Sequence, residues 1–163
     1  MAYKFSAEDM KKMDNLDENA NEHREFVEIP DDDYEVALES VKCKILQPDE
    51  KHPEEYHRVV LEFKIIAGDY EGESIYYWQN LVKPWMFQAT GRFLKSLKTD
   101  VDLSAARYIV EGNLDPKNYQ TMLDEVYKDV TAKGYEYQLN VAPQEKNPKF
   151  KKWTIVDVFE PTE

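Results

Sequence analysis

Hydrophobic and polar residues alternate along much of this chain, and the alternation predicts five β-strands. Successive side chains of a strand point to opposite faces, so a period of two marks a strand with one buried face. In residues 34–45 the alternation changes phase at residues 39–40, which predicts a β-bulge. The two apolar sets there are Tyr34, Val36 and Leu38, then Val41, Cys43 and Ile45. The other predicted strands cover residues 58–66, 74–82, 135–141 and 150–159.

Three consecutive rings, Tyr76, Tyr77 and Trp78, lie in the third predicted strand. Neighbouring residues of a strand face opposite sides, so the three rings do not all enter one core. If Ile75, Tyr77 and Leu81 face inward, Tyr76 and Trp78 face outward. The alternative is that a helical segment covers the outer face and buries both rings.

Between the third and fourth strands the period changes to that of a helix. Pro84 suits a first helical turn, and Asp115 followed by Pro116 predicts an N-cap and the first helical residue of a second helix. Gly134 is suited to the position after that helix. Residues 101–113 fit a short helix, a strand or a loop equally well. The two apolar stripes are Phe87, Thr90, Phe93, Leu94 and Leu97, then Tyr119, Met122, Leu123, Val126, Tyr127 and Val130.

The order of strand, strand, strand, helical segment, strand, strand is typical of the OB-fold. We therefore predict a mainly β, α+β chain: a five-stranded OB-fold barrel with helices between strands 3 and 4. Residues 26–163 form its single domain, with the helical insert at about residues 84–133. Residues 1–25 form an acidic, partly flexible N-terminal arm.

The charge of the chain is unevenly distributed. The net charge is -12, yet residues 1–33, with eleven acidic and four basic residues, account for -7 of it. The single cysteine, Cys43, excludes an internal disulfide and a cysteine-based zinc cage. There is no long apolar run, secretory signal core, nucleophile elbow, P-loop or recognisable metal-ligand spacing. We expect a cytoplasmic protein that is not an enzyme and uses no cofactor, metal or membrane.

Lysines and aromatic residues are interleaved in residues 146–153, at the predicted loop between strands 4 and 5. In OB-folds this loop, the loop between strands 1 and 2, and the face of strands 2–3 bind oligonucleotides. Cations with interleaved rings favour single-stranded DNA, because lysines pair with phosphates and rings stack on bases. The predicted DNA-binding residues are Arg58, Lys64, Tyr76, Trp78, Lys83, Arg92, Lys95, Lys149, Phe150, Lys151, Lys152 and Trp153.

Three structural alternatives stand beside this prediction. The lysine-rich loop suits a solvated hairpin tip, and the helix cations Arg92 and Lys95 suit a solvated face. Alternation also places Trp153 on the same side as Lys151 and Ile155, and that side suits a core position for the tryptophan.

The chain also resembles a known family, the small single-stranded DNA-binding proteins encoded in replication and recombination modules of tailed bacteriophages. The resembling stretches are residues 26–30 followed by 34–36, residues 59–65 with the GDYEG segment at 68–72 and residues 75–78, and the helix at 91–97. The resemblance implies an OB-fold, sequence-independent binding of single-stranded DNA in the host cytoplasm, and no catalysis. It implies replication or recombination proteins as further partners and leaves a homo-oligomer open. The rival interpretation is an OB-like module that binds such a protein and no DNA.

Overall fold

Five antiparallel strands form the main sheet of the computed structural model, which describes residues 6, 7, 10 and 29–161. The sheet order is β3-β2-β1-β6-β7, and β4 and β5 form a separate hairpin. The predicted N-terminal arm lies almost wholly outside the described residues. The elements are β1 (Asp33–Leu46), β2 (Tyr56–Ile65), β3 (Ser74–Leu81), α1 (Pro84–Ser96), a 3-10 turn (Ala105–Arg107), β4 (Ile109–Val110), β5 (Asn113–Leu114), α2 (Pro116–Ala132), β6 (Glu136–Pro143) and β7 (Lys151–Phe159).

The long first strand holds the sheet together. Its residues 33–36 pair with β6 and its residues 36–46 pair with β2, so Val36 has a partner on each side. The register shifts between Leu38, which pairs with Phe63, and Ser40, which pairs with Glu62. The bulge predicted from the change of phase at residues 39–40 is therefore confirmed.

The two helices begin where their sequence signals predict. Asp115 caps α2, because its carboxylate accepts hydrogen bonds from the backbone N–H groups of Lys117 and Asn118, both at 3.0 Å. Gly134 follows the helix with φ +70°, a conformation that glycine adopts without steric cost. Helix α1 begins at Pro84, as expected from the proline. No helix within the described residues has both the length and the apolar content needed to cross a membrane.

The helices pack on the inner face of the sheet. Phe93 of α1 stacks on Tyr77 of β3, with ring centroids 3.9 Å apart, and meets Phe63 edge-on. Helix α2 is fixed to β1 by the Gln120 side chain, which accepts from the Cys43 N–H at 2.7 Å and donates to the Val41 carbonyl at 3.1 Å. The fully buried side chains include Val36, Val59, Leu61, Phe63, Leu94, Leu97, Tyr119, Met122, Leu123, Tyr137 and Leu139.

The predicted barrel closure is wrong for the described part of the chain, in which no backbone ladder joins β3 to β7. The two edge strands meet instead through side chains. The ring of Trp153 on β7 lies 5.4 Å from that of Tyr77 and 6.4 Å from that of Trp78 on β3, measured between centroids. The contact between the two edge strands is therefore one of side chains, without a shared backbone ladder.

Residues 101–113, for which the sequence favoured no single structure, contain the 3-10 turn and most of the β4–β5 hairpin. The hairpin turn consists of Glu111 and Gly112, at φ +51° and +80°. Two residues with positive φ are typical of a type I′ turn. Strands of two residues are too short to show a period of two in the sequence.

Candidate nucleic-acid interface

A cleft of about 550 Å³ opens where the sheet fails to close. We call it the aromatic cleft. One wall is the end of β3, the second is the start of α1, and the third is the β6–β7 loop with the start of β7. Its lining residues are Tyr77, Trp78, Gln79, Asn80, Trp85, Met86, Ala89, Gln144, Asn147, Phe150, Lys151, Lys152 and Trp153. None of them is acidic, although the chain as a whole is strongly acidic.

The β6–β7 loop is folded by its own backbone hydrogen bonds. The Phe150 N–H donates to the Asn147 carbonyl at 3.0 Å, and the Gln144 N–H donates to the Phe150 carbonyl at 2.9 Å. Pro148 occupies the second position of the resulting turn, where its fixed φ is favourable. The turn places the Phe150 ring beside Trp78, with centroids 6.2 Å apart.

Two rings of the aromatic cleft keep much of their surface free. The Trp85 side chain is 56% exposed and that of Phe150 is 45% exposed. Trp78 is half-buried, because the Arg58 guanidinium lies 4.4 Å from its ring centroid while Phe150 and Trp153 contact its edge. Trp85 and Phe150 are therefore the rings best placed to stack on a bound base.

Trp153 serves mainly as a packing residue. It pairs with the buried Val141 of β6, which places it on the inner side of the sheet, and its half-buried ring packs against the core. Trp153 thus packs against the core, as the core alternative expects, but it is not among the buried residues that form the core. Its exposed remainder still forms part of the cleft wall.

The predicted cations of the loop differ in their partners. Lys151 Nζ contacts the Asp31 carboxylate, so its charge is already paired. Lys149 and Lys152 are exposed, and within the described residues neither side chain has an acidic partner. These two lysines are available to phosphates at the rim of the cleft.

The predicted cations of α1 lie beside two different cavities. Arg92 follows Trp85 by two turns and therefore shares the cleft side of the helix, and Lys83 immediately precedes α1. Lys95 follows Gln88 by two turns, on the side of a second cavity of about 640 Å³ between α1 and the β4–β5 hairpin. Of these cations, Arg92 is the one on the cleft side, whereas the chain neighbours of Lys83, Val82 and Pro84, line the second cavity.

Lys64 and Tyr76 lie outside the cleft, on the outer face of β2 and β3. Tyr76 is 52% exposed, so the alternative that the helical segment buries this ring is wrong. The Glu62 carboxylate lies on the same face, opposite Tyr76 and two residues before Lys64. It accepts hydrogen bonds from Ser40 at 3.1 Å and Ser74 at 2.8 Å. A fixed negative charge at this place opposes the approach of a phosphate.

Sequence reasoning missed Trp85, Met86 and the carboxamide side chains of the cleft. For Trp85 the sequence did contain a signal of a surface role, because this tryptophan lies outside the apolar face of α1 that packs into the core. A large ring outside the buried stripe of a helix is either exposed or part of a second contact surface. The carboxamides gave no comparable signal, because glutamine and asparagine are common at every exposed position.

Tyr77 forms the floor of the cleft. Burial raises the pKa of its hydroxyl, so the ring stays neutral throughout the physiological pH range. The charged residues in the cleft lining are Lys151, which is paired with Asp31, and Lys152, which has no acidic partner within the described residues.

Comparison of the chain with models of protein families, with curated proteins and with solved structures gave no match. The similarity to phage single-stranded DNA-binding proteins therefore stays a prediction from the stretches quoted for it. The functional assignment rests on the geometry of the cleft.

Proposed function

We propose that this chain is a non-enzymatic single-stranded DNA-binding protein and that bases bind in the aromatic cleft. The observation that carries the proposal is the pair of exposed rings, Trp85 and Phe150, on different walls of one cleft. A base stacked on an aromatic side chain contributes about 1–3 kcal/mol, and every base offers a flat face for such stacking.

The cations around the cleft supply the second part of the affinity. They are Lys152 in the cleft lining, Lys149 next to Phe150 in the loop, and Arg92 two helical turns after Trp85. Each phosphate that they neutralise releases counterions, and this gain does not depend on sequence. The whole-chain charge of -12 does not oppose this, because counterion release depends on local contacts.

We further propose that the fold is an OB-fold whose barrel stays open between β3 and β7. The strand order β3-β2-β1-β6-β7 and the helical segment after the third strand support this assignment. OB-folds bind oligonucleotides through the loop that corresponds here to the β6–β7 loop. A role in bacteriophage DNA replication or recombination is the biological setting that the family resemblance favours.

A second candidate function is a protein-interaction module. The edges of β3 and β7 that flank the cleft have no backbone partner in the described part of the chain. An extended peptide adds to such an edge through main-chain hydrogen bonds. Under this interpretation the protein binds a replication or recombination protein and no DNA.

The experiment that separates the two is a titration of a short labelled oligo-dT strand, followed by fluorescence anisotropy at several salt concentrations. With four to six phosphate contacts, we expect the slope of log K against log salt to be about -3 to -4. A duplex of the same length should bind more weakly, because its stacked bases are unavailable to Trp85 and Phe150. Tighter binding to duplex, or an affinity that does not change with salt, would contradict the proposal.

A further inference from the structure

Four carboxamide side chains line the aromatic cleft, and each is oriented by a hydrogen bond to a group of fixed polarity. They are Gln79 and Asn80 on the β3 wall, and Gln144 and Asn147 on the loop wall. Carboxamides carry both a donor and an acceptor, so their orientation decides which group is left for a ligand.

On the β3 wall, Asn80 Oδ1 accepts from Arg58 Nε at 2.7 Å. A guanidinium only donates, so the oxygen of Asn80 must face it and the Nδ2 group is left free. Gln79 Nε2 donates to the Asn80 carbonyl at 3.3 Å, which leaves Gln79 Oε1 free. The amino group of Asn80 and the side-chain oxygen of Gln79 therefore have no partner within the described residues.

The loop wall is arranged in the same way. Gln144 Nε2 donates to the Lys151 carbonyl at 3.1 Å, and Asn147 Oδ1 accepts from the Lys149 N–H at 3.4 Å. A carbonyl only accepts and an N–H only donates, so the bond of Gln144 sets its orientation, and the longer contact of Asn147 favours the orientation in which its oxygen faces the N–H. Gln144 Oε1 and Asn147 Nδ2 have no partner anywhere in the described ranges.

We propose that these carboxamides hydrogen-bond to the edges of unpaired bases held in the cleft, and so discriminate between bases. This inference rests on the proposed function and refines the expectation of binding without sequence preference. Bases differ in the order of donors and acceptors along their edges. An oriented set of two free amino groups and two free carbonyl oxygens therefore matches some bases better than others. Stacking and phosphate contacts still supply most of the affinity.

The test compares oligo-dT, oligo-dA, oligo-dC and an abasic strand of equal length, all titrated in the same buffer. We expect the abasic strand to bind most weakly and the best homopolymer to exceed the worst by at least about fivefold, near the low end for a base contact. In the double variant Gln144→Ala/Asn147→Ala the spread between homopolymers should fall to about twofold, with the salt slope unchanged.

The matched control is Gln88→Ala/Asn118→Ala, which removes two exposed carboxamides outside the cleft. This control variant should keep the full difference in affinity between the homopolymers. Thermal melting checks that each variant is folded. If Gln144→Ala/Asn147→Ala does not fold, Gln79→Ala on the β3 wall replaces it in the test. Gln79→Ala should also narrow the spread.

The outcomes separate this inference from the proposed function. If the parent binds all three homopolymers within about twofold, the carboxamides do not discriminate and the inference is overturned while DNA binding stands. If the difference in affinity between homopolymers persists in the folded carboxamide variants, it comes from the stacking of the DNA strands themselves, and the inference is overturned as well. If no single strand binds, the proposed function itself fails.

Discussion

The ring of Trp153 on β7 packs edge-on against the ring of Tyr77 on β3, with centroids 5.4 Å apart and planes at 65°. This contact joins two strands that share no backbone hydrogen bonds in the described part of the chain. It closes one end of the sheet by side-chain packing and leaves the aromatic cleft beside it.

Replacing Trp153 by alanine should therefore destabilise the fold. We expect a loss of about 3 kcal/mol in the free energy of unfolding, the lower end for removal of a packed tryptophan, because the ring is only half-buried. Urea denaturation measures this loss. The matched change Trp85→Ala removes an exposed ring and should alter stability by less than about 0.5 kcal/mol. Equal stability of the two variants would show that the Trp153–Tyr77 contact does not hold the strands together.

The loop lysines should control the salt dependence of DNA binding. In the triple variant Lys149→Ala/Lys151→Ala/Lys152→Ala, the slope of log K against log salt should become shallower by about 1.4, at ~0.7 for each of the contacts of Lys149 and Lys152. Among the single variants Lys151→Ala should have the smallest effect, because its ammonium is already paired with Asp31. Anisotropy titrations over a range of salt concentrations give the slopes.

The control for this series is Lys42→Ala/Lys128→Ala, which removes two exposed lysines from β1 and α2. It should leave the slope as in the parent. If the triple variant binds single strands as tightly as the parent does, the lysine-rich loop is only a solvated hairpin tip.

Asp129 should make the stability of the fold depend on pH. Its carboxylate accepts hydrogen bonds from Thr99 Oγ1 at 2.7 Å, the Asp100 N–H at 2.8 Å and Lys133 Nζ at 3.3 Å. These bonds, that of Thr99 first, hold the pKa of Asp129 below its usual value. A carboxyl whose pKa is lower in the folded state stabilises fully above its unfolded pKa, about 3.9, and this stabilisation is lost as the pH falls through the folded pKa.

Asp129→Ala should accordingly lower the free energy of unfolding by about 1–2 kcal/mol at neutral pH. The value is modest because solvent screens the charge at this partly exposed site. The difference in the free energy of unfolding between this variant and the parent should become smaller as the pH falls below about 4. Urea denaturation at neutral and acidic pH measures both, and Asp69→Ala, at an exposed turn, is the control. A difference that stays constant down to low pH would mean that the carboxylate's charge is not what stabilises this region.

The strands and helices were predictable because their signals are local. A period of two, a period of 3.6 and an N-cap aspartate followed by proline each depend on a few neighbouring residues. The change of phase at residues 39–40 even gave the position of the bulge. Residues 101–113 escaped prediction because strands of two residues contain no period.

The opening between β3 and β7 was not predictable, because whether two edge strands pair depends on the packing of parts of the chain that are distant in sequence. The same reason explains why the sequence grouped Lys64 and Tyr76 with the loop cations, whereas the structure places them on another face. Residue type and the alternation of side chains along a strand indicate which side chains are exposed. They do not indicate which exposed side chains share a cleft.

The central claim is that bases bind between Trp85 and Phe150, and the direct measurement is a titration of oligo-dT with Trp85→Ala, Phe150→Ala and Tyr76→Ala. Tyr76 is the matched control, since its ring is as exposed as that of Trp85 but lies outside the cleft. We expect each cleft variant to lose about 1–3 kcal/mol of binding free energy with unchanged melting temperature and salt slope, and Tyr76→Ala to bind like the parent. Loss of binding in Tyr76→Ala, with both cleft variants unaffected, would contradict the claim and place the bases on the outer face of β2 and β3.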